Sequence, residues 1–392
     1  MKNIKLSLMM FLQYMMLPIW FVPMLPYVQS LSGGESWVFW CGLIMGFGTF
    51  SSPLFGMFAD RFFNAERVLA FCNFAGSILL SVAFFAQSAP SVFVLMLFTM
   101  FFYMPTWSLS ATIAMANAPE NTYPRFRVFG TIGWVASGAF SLLGAKVFGI
   151  DDFDTSRWIF ASASVVSFVG GVIALLLPHT APTQKGSRLS IADALGLKAL
   201  VLLKDKRFLS FVVVTILAMI PFQWYNVYCA AYLKESGFKY LTLTINLGQV
   251  GEMFFMLLVS IIISRLGYRG AMCIGLGALA FRNLSFAISS FFKLSQFDFG
   301  AILVHGLIFG LFIVGAQMFV AENAPKELRN QAQGLMNLIT AGVGVFASNF
   351  VFHFVLGANY RWTLAYVTAL IISLVGMLAA SILLQGRKGK GA

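Results

Sequence analysis

The chain has 392 residues, 59% of them hydrophobic and 10% charged, where an ordinary soluble domain has about 25% charged. That composition excludes a water-soluble globular protein and points to a membrane protein with many spans. The net charge of +12 sits almost wholly in loops and tails, where Lys and Arg set topology and meet anionic lipid; it is not the footprint of a nucleic-acid partner.

Taken in chain order, the apolar runs predict twelve membrane helices: 6–28, 36–58, 68–87, 91–117, 127–149, 157–178, 208–233, 242–264, 270–291, 297–321, 332–356 and 362–385. The first follows Lys2 and Lys5, is too long for a signal-peptide core and lacks a small-residue cleavage site, so it is read as a helix. With both termini cytoplasmic, the inward loops and tails hold 19 Lys+Arg and the outward loops 6, and Arg282 lies inside a span. This bias predicts a multi-pass protein of a bacterial cytoplasmic (inner) membrane. Prolines 18, 23 and 26 in the first span, Pro53 in the second, Pro105 in the fourth and Pro221 in the seventh are places for kinks. Cys41, Cys72, Cys229 and Cys273 fall in apolar runs without metal-ligand spacing and read as packing residues.

The longest polar stretch, 179–207, holds six Lys/Arg and divides the chain into six-helix halves, 1–178 and 208–392. It predicts a cytoplasmic linker with an amphipathic helix from about Ser190. The halves repeat in one register. Arg61, Arg125 and Gly130 recur as Arg265, Arg329 and Gly334 at a shift of 204, and Asn-Ala-Pro at 117–119 recurs at 323–325. Two six-helix halves related by an axis along the membrane normal are a transporter plan with substrate held near the midplane.

Polar residues inside the spans mark the expected path. Glu252 is the only ionisable residue in TLTINLGQVGEMFFMLLVSIIIS, 242–264. It lies about 20 Å along the helix from Arg265, near the midplane, where a charge costs at least about 2.5–3.5 kcal/mol. Such a residue marks a substrate or proton path, or else a structural ion pair with the other midspan charge, Arg282. Arg127, Thr131 and Trp134 share one face of the fifth span, Gln223 and Asn226 one face of the seventh, Gln249 and Glu252 one of the eighth, and His305 and Phe309 one of the tenth. Amides offer paired donors and acceptors to a base edge or to sugar hydroxyls, and Trp134 and Phe309 offer flat faces. A neutral, polar, partly planar ligand fits this set; a polyanion does not. The three His (179, 305 and 353) fall on separate elements, and neither H-E-x-x-H, a glycine-rich phosphate loop nor CxxC occurs, so an enzyme is not expected.

Gly56-Met57-Phe58-Ala59-Asp60-Arg61 resembles the G-x-x-x-D-R loop signature of the major facilitator superfamily. Its second copy, Ser264 to Arg269, lacks the Asp. Tyr103-Met104-Pro105-Thr106, Arg127 to Trp134, Gln223-x-x-Asn226, Gln249-x-x-Glu252 and Gln331-Ala332-Gln333-Gly334 resemble the nucleoside:proton symporters of that superfamily over nearly the whole chain. The resemblance implies an all-α fold of twelve transmembrane helices in two pseudo-symmetric halves. It implies a monomeric importer of nucleosides driven by the proton gradient without a cofactor or metal. It also implies a pocket of Arg127, Thr131, Gln223, Asn226, Gln249, Glu252 and Phe309, to which Trp134 is added from the residues themselves. Glu252 and His305 are the candidates for proton coupling.

Two residues depart from that family. Ala111 stands where it usually has Asn, and Gly310 stands where members carry an Asp tied to coupling. The chain also resembles lactose-permease-like sugar:proton symporters at Arg127, Trp134, Arg282 and His305, but its fourth span, YMPTWSLSATIAMANA, lacks their sugar-binding Glu. A sugar symporter and an uncoupled facilitator are the alternatives.

Overall fold

A lipid-embedded chain must pair its backbone polar groups within each segment or in a closed barrel. The computed structural model describes residues 2–119, 122–182, 197–325, 328–357 and 361–384, and every regular element among them is a helix. Eleven stretches of the described residues are long and apolar enough to cross a membrane. The twelfth lies within Leu241–Phe292. At 52 residues this element would run about 78 Å if straight, far beyond a hydrocarbon core of about 30 Å. It breaks at Gly267, whose φ of 67° lies in the left-handed region that favours glycine. The eighth and ninth predicted spans stand on either side of that break, and the twelve-span reading holds.

The prolines act unequally. Pro105 and Pro221 lie inside the unbroken helices Ala89–Asn117 and Lys206–Glu235. The first span instead interrupts between Lys2–Phe21 and Met24–Ser30, at Pro23, and the second between Val38–Thr49 and Ser51–Arg61, three residues before Pro53. Gly56, Asp60 and Arg61 belong to the last turns of Ser51–Arg61, so the signature expected in a loop is helical here. Residues 190–196 of the expected amphipathic segment lie outside the described residues; Leu197–Lys204, which follows, is a 3-10 helix.

Packing divides the chain into two compact units: Met1–Ala194 with Leu233–Asn246, and Leu195–Tyr232 with Leu247–Ala392. Small polar residues seam the first. Ser77 and Ser81 lie 3.0 and 2.8 Å from the Ser164 hydroxyl, and Ser167 donates to the Asn73 carbonyl at 2.8 Å. Such residues let membrane helices approach closely where water does not drive them together.

The connection between spans seven and eight is clamped by the one between five and six. Asp154, 2% exposed, accepts from the Ser141 hydroxyl (2.7 Å), the Thr242 hydroxyl (3.0 Å) and the Leu241 amide (2.7 Å). Leu241 opens a helix, so the carboxylate satisfies an amide that has no partner within that helix. Lys234 and Asp152 add an ion pair of 3.1 Å at the surface. A break in the fifth span between Tyr123–Ala136 and Gly138–Lys146 leaves carbonyls to be satisfied, and Asn246 donates to that of Trp134 at 2.9 Å and to the Ser137 hydroxyl at 3.0 Å.

Aromatic packing holds the second unit. Phe211 and Phe319 stack at 3.7 Å, and Trp224 stacks on Tyr228 and Phe352 at 4.4 and 4.1 Å. Two of its spans contain π-helical turns, Gly310–Val314 in the tenth and Leu338–Val343 in the eleventh. These wider turns are rare and occur often at functional sites.

Candidate substrate and proton site

In the first unit the site forms around Arg127. Arg127, Thr131 and Trp134 all lie on Tyr123–Ala136, the first piece of the fifth span. That helix approaches the first span at glycines: a Cβ at Gly130 would come within 2.8 Å of the Tyr14 ring, and one at Gly133 would meet the Phe11 carbonyl. The gap brings the Arg127 guanidinium to 4.1 Å from the Tyr14 ring centroid, a cation–π contact. Tyr14 in turn stacks on Trp107 at 5.7 Å and 13°. Thr131 is buried. Trp134 packs beside the core of Leu6, Met9, Met10 and Tyr14, with its indole nitrogen buried and without a hydrogen-bond partner.

In the second unit two amides are tied together. Gln223 donates to the Thr340 carbonyl at 2.8 Å, within the π-helical turn of span eleven, and Asn226 donates to the Gln223 side-chain oxygen at 3.0 Å. Gln223 is buried and Asn226 half-buried, so the pair is fixed at one end and open at the other. Glu252 is buried at 4% exposure, in the middle of its helix, and Gln249 is half-buried one turn before it.

The helix of Glu252 crosses the tenth span at glycines. A Cβ at Gly306 would collide with the backbone nitrogen of Glu252, and one at Gly248 would lie 2.8 Å from the His305 Cβ. The two proposed proton groups thus sit on directly packed helices. Phe309 lies at the edge of the unit's core, 6.1 Å from the His305 ring.

Arg282 is fully buried, and what it touches is an imidazole, a carbonyl and an aromatic face. It donates to His305 Nδ1 at 3.1 Å and to the Ala301 carbonyl at 3.2 Å, and lies 4.1 Å over the Tyr225 ring. A guanidinium has only donors, so His305 Nδ1 must accept, and the ring is neutral with its one proton on Nε2. A second ring proton would need the place that Arg282 fills.

Gly310 has a structural counterpart. A Cβ there would lie 2.7 Å from Val259 Cγ2, so the branched Val occupies the room an acid would need.

Sequence reasoning missed Tyr14, Trp107 and Tyr225. Each is an aromatic in an apolar helix, where packing is the default reading. The one available signal was that Tyr225 lies between Gln223 and Asn226.

Residues 1–385 match the family described as nucleoside H+ symporter. The chain belongs to that family. It is 36% identical to the Escherichia coli (strain K12) protein YegT over 348 residues, 87% of this chain and 81% of YegT. It is 26% identical to the nucleoside permease NupG of the same organism, covering 77% and 75%, and 27% identical to its xanthosine permease, covering 88% and 85%. The crystal structure of NupG superposes with a TM-score of 0.82 at 24% identity over 97% of this chain and 98% of that one, and a D-xylose-proton symporter with 0.73 at 14% over 100% and 99%. Those two matches establish the fold. This nucleoside H+ symporter family member is therefore a multi-pass membrane transporter of major facilitator architecture and not an enzyme, as the sequence predicted.

Proposed function

We propose that the transporter imports nucleosides together with protons, by alternating access between its six-helix halves, residues 1–178 and 208–392. It works in a bacterial cytoplasmic membrane with both termini inside. The observation that carries this reading is the tied amide pair Gln223–Asn226 in the same unit as the buried carboxyl of Glu252. Amides fixed at one end present donors and acceptors to a base or ribose without first having to be ordered. In the first unit the substrate-binding residues are Arg127, Thr131 and Trp134; in the second, Gln223, Asn226, Gln249, Glu252 and Phe309. Glu252 takes the coupling proton. Relatives named for nucleoside and xanthosine permeation support the substrate class.

The test is counterflow of labelled uridine in proteoliposomes with a pH dye on the outside. Uridine exchange that labelled xylose does not reproduce, with alkalinisation outside on uridine addition, is the expected result. No exchange with any nucleoside would sink the substrate assignment. A second reading, an uncoupled facilitator, is favoured by Gly310 and the Val259 methyl packed against it. It predicts uridine exchange with no proton signal.

A further inference from the structure

A covered aromatic stack lies beneath Arg127. Tyr14 is buried at 8% exposure, with Arg127 at 4.1 Å from its centroid and Trp107 stacked on it. A ring so covered is not presented to a ligand; what it presents is a π-face to a guanidinium. The stack is locked from behind. The Trp107 indole donates to the Tyr103 hydroxyl at 2.8 Å, and that hydroxyl donates to the Gln13 carbonyl at 2.7 Å. Gln13 is anchored as well, donating to Asn73 at 3.2 Å. Gln13 and Tyr14 of span one and Tyr103 and Trp107 of span four thus form one linked set, and Gly130 leaves the space in which Arg127 reaches the Tyr14 face.

We propose that Tyr14, backed by Trp107, is a positioning residue that holds the Arg127 guanidinium in its substrate-binding orientation. This rests on the reading of Arg127 as a substrate contact. A long, flexible side chain loses rotamer freedom on binding, and fixing it beforehand removes that cost. Tyr14 acts through Arg127 and needs no contact with substrate.

A double-mutant cycle tests it, with uridine affinity read by titration calorimetry on the purified full-length transporter. Tyr14→Phe keeps the ring and is expected to leave Kd within about twofold. Tyr14→Met fills the space without a π-face and is expected to raise Kd roughly 3- to 30-fold. In an Arg127→Ala background the same change should add less than about twofold, since the group being positioned is gone. An equal loss in both backgrounds would make Tyr14 mere packing and overturn the proposal, as would an unchanged Kd in Tyr14→Met alone. If Arg127→Ala itself leaves Kd unchanged, the substrate reading of Arg127 fails and the positioning role falls with it. Should Tyr14→Met not fold, Trp107→Leu runs the same cycle, with a smaller loss that must likewise vanish without Arg127.

Discussion

Each unit of this transporter sets an arginine 4.1 Å over a tyrosine ring, and the two pairs differ in burial. Arg127 over Tyr14 is half-buried. Arg282 over Tyr225 is fully buried and spends its fork on His305 and the Ala301 carbonyl. Under the proposed function the same contact serves a substrate-binding arginine in one unit and a packed, structural one in the other. The lesson is that a cation–π pair alone does not mark a substrate arginine: burial separates the one proposed to meet substrate from the one packed away. If so, the titrating chemistry of the second unit falls to Glu252, and its arginine serves to fix a neutral imidazole.

The sharpest break in that division is Glu252→Gln. The amide keeps the shape and hydrogen bonding of the carboxyl but cannot carry a proton. Proton-driven uridine accumulation should fall to near background at normal expression, while binding survives. Normal accumulation would mean that coupling lies elsewhere, and the contrast between the units would lose its basis.

Next in size is Gln223→Ala. It removes a potential ligand contact and also strands two native groups, the Thr340 carbonyl and the Asn226 amide. The stranded groups lower stability, while a polar group on the ligand left without its partner costs roughly 1–3 kcal/mol, which is about 5- to 150-fold in affinity. Calorimetry with uridine measures it. Asn226→Ala, at the open end, should weaken binding with little effect on thermal stability, whereas Gln223→Ala should lower both. Unchanged affinity in both variants would remove the pair from the site.

The sequence made the spans, the midspan carboxylate and the helical faces of the polar residues legible, because hydropathy and a period of 3.6 are local properties. Glu252 stands out in the sequence because lipid tolerates few carboxylates. What stayed hidden is long-range. Tyr14 and Trp107 are 93 positions apart and become a platform only through a glycine gap on a third helix. The π-helical turn that lends its Thr340 carbonyl to Gln223 leaves no periodic trace, and the role of Asp154 depends on a helix start 87 residues away. The Asp60-Arg61 signature was readable as residues but not as the end of a helix.

Asp154 allows a smaller, graded test in the first unit. Asp154→Ala strands the Leu241 amide and should lower stability by about 1–3 kcal/mol, seen as a drop in Tm. Asp154→Asn should cost less than half of that. Its oxygen can take the backbone amide, and its nitrogen can donate to the hydroxyls of Ser141 and Thr242, which can turn to accept. Burial pushes the Asp154 carboxyl above the usual carboxylate range, only partly opposed by the hydrogen bonds from Ser141 and Thr242. A raised value in the folded state means that its contribution is full below the ordinary carboxylate range and shrinks as pH rises through the raised value. Asp154→Asn should remove that slope from the Tm profile. An identical slope in the variant would assign the pH dependence to another group.

The smallest expected effect is the most informative about the second arginine. His305→Gln should leave uridine-induced alkalinisation unchanged per uridine moved. The imidazole is in the range where a side chain could couple protons, titrating near 6.5 when free. Its Nδ1, however, accepts from a guanidinium that can only donate. Taking up a second proton would require Arg282 to withdraw, and Arg282 is fully buried, held also by the Ala301 carbonyl and the Tyr225 face. Gln places a donor near the position of Nε2 and keeps the polarity of the ring's site. Loss of the proton signal in His305→Gln, with uridine exchange intact, would show that Arg282 does release the ring during the cycle. The two arginines would then differ in timing rather than in use.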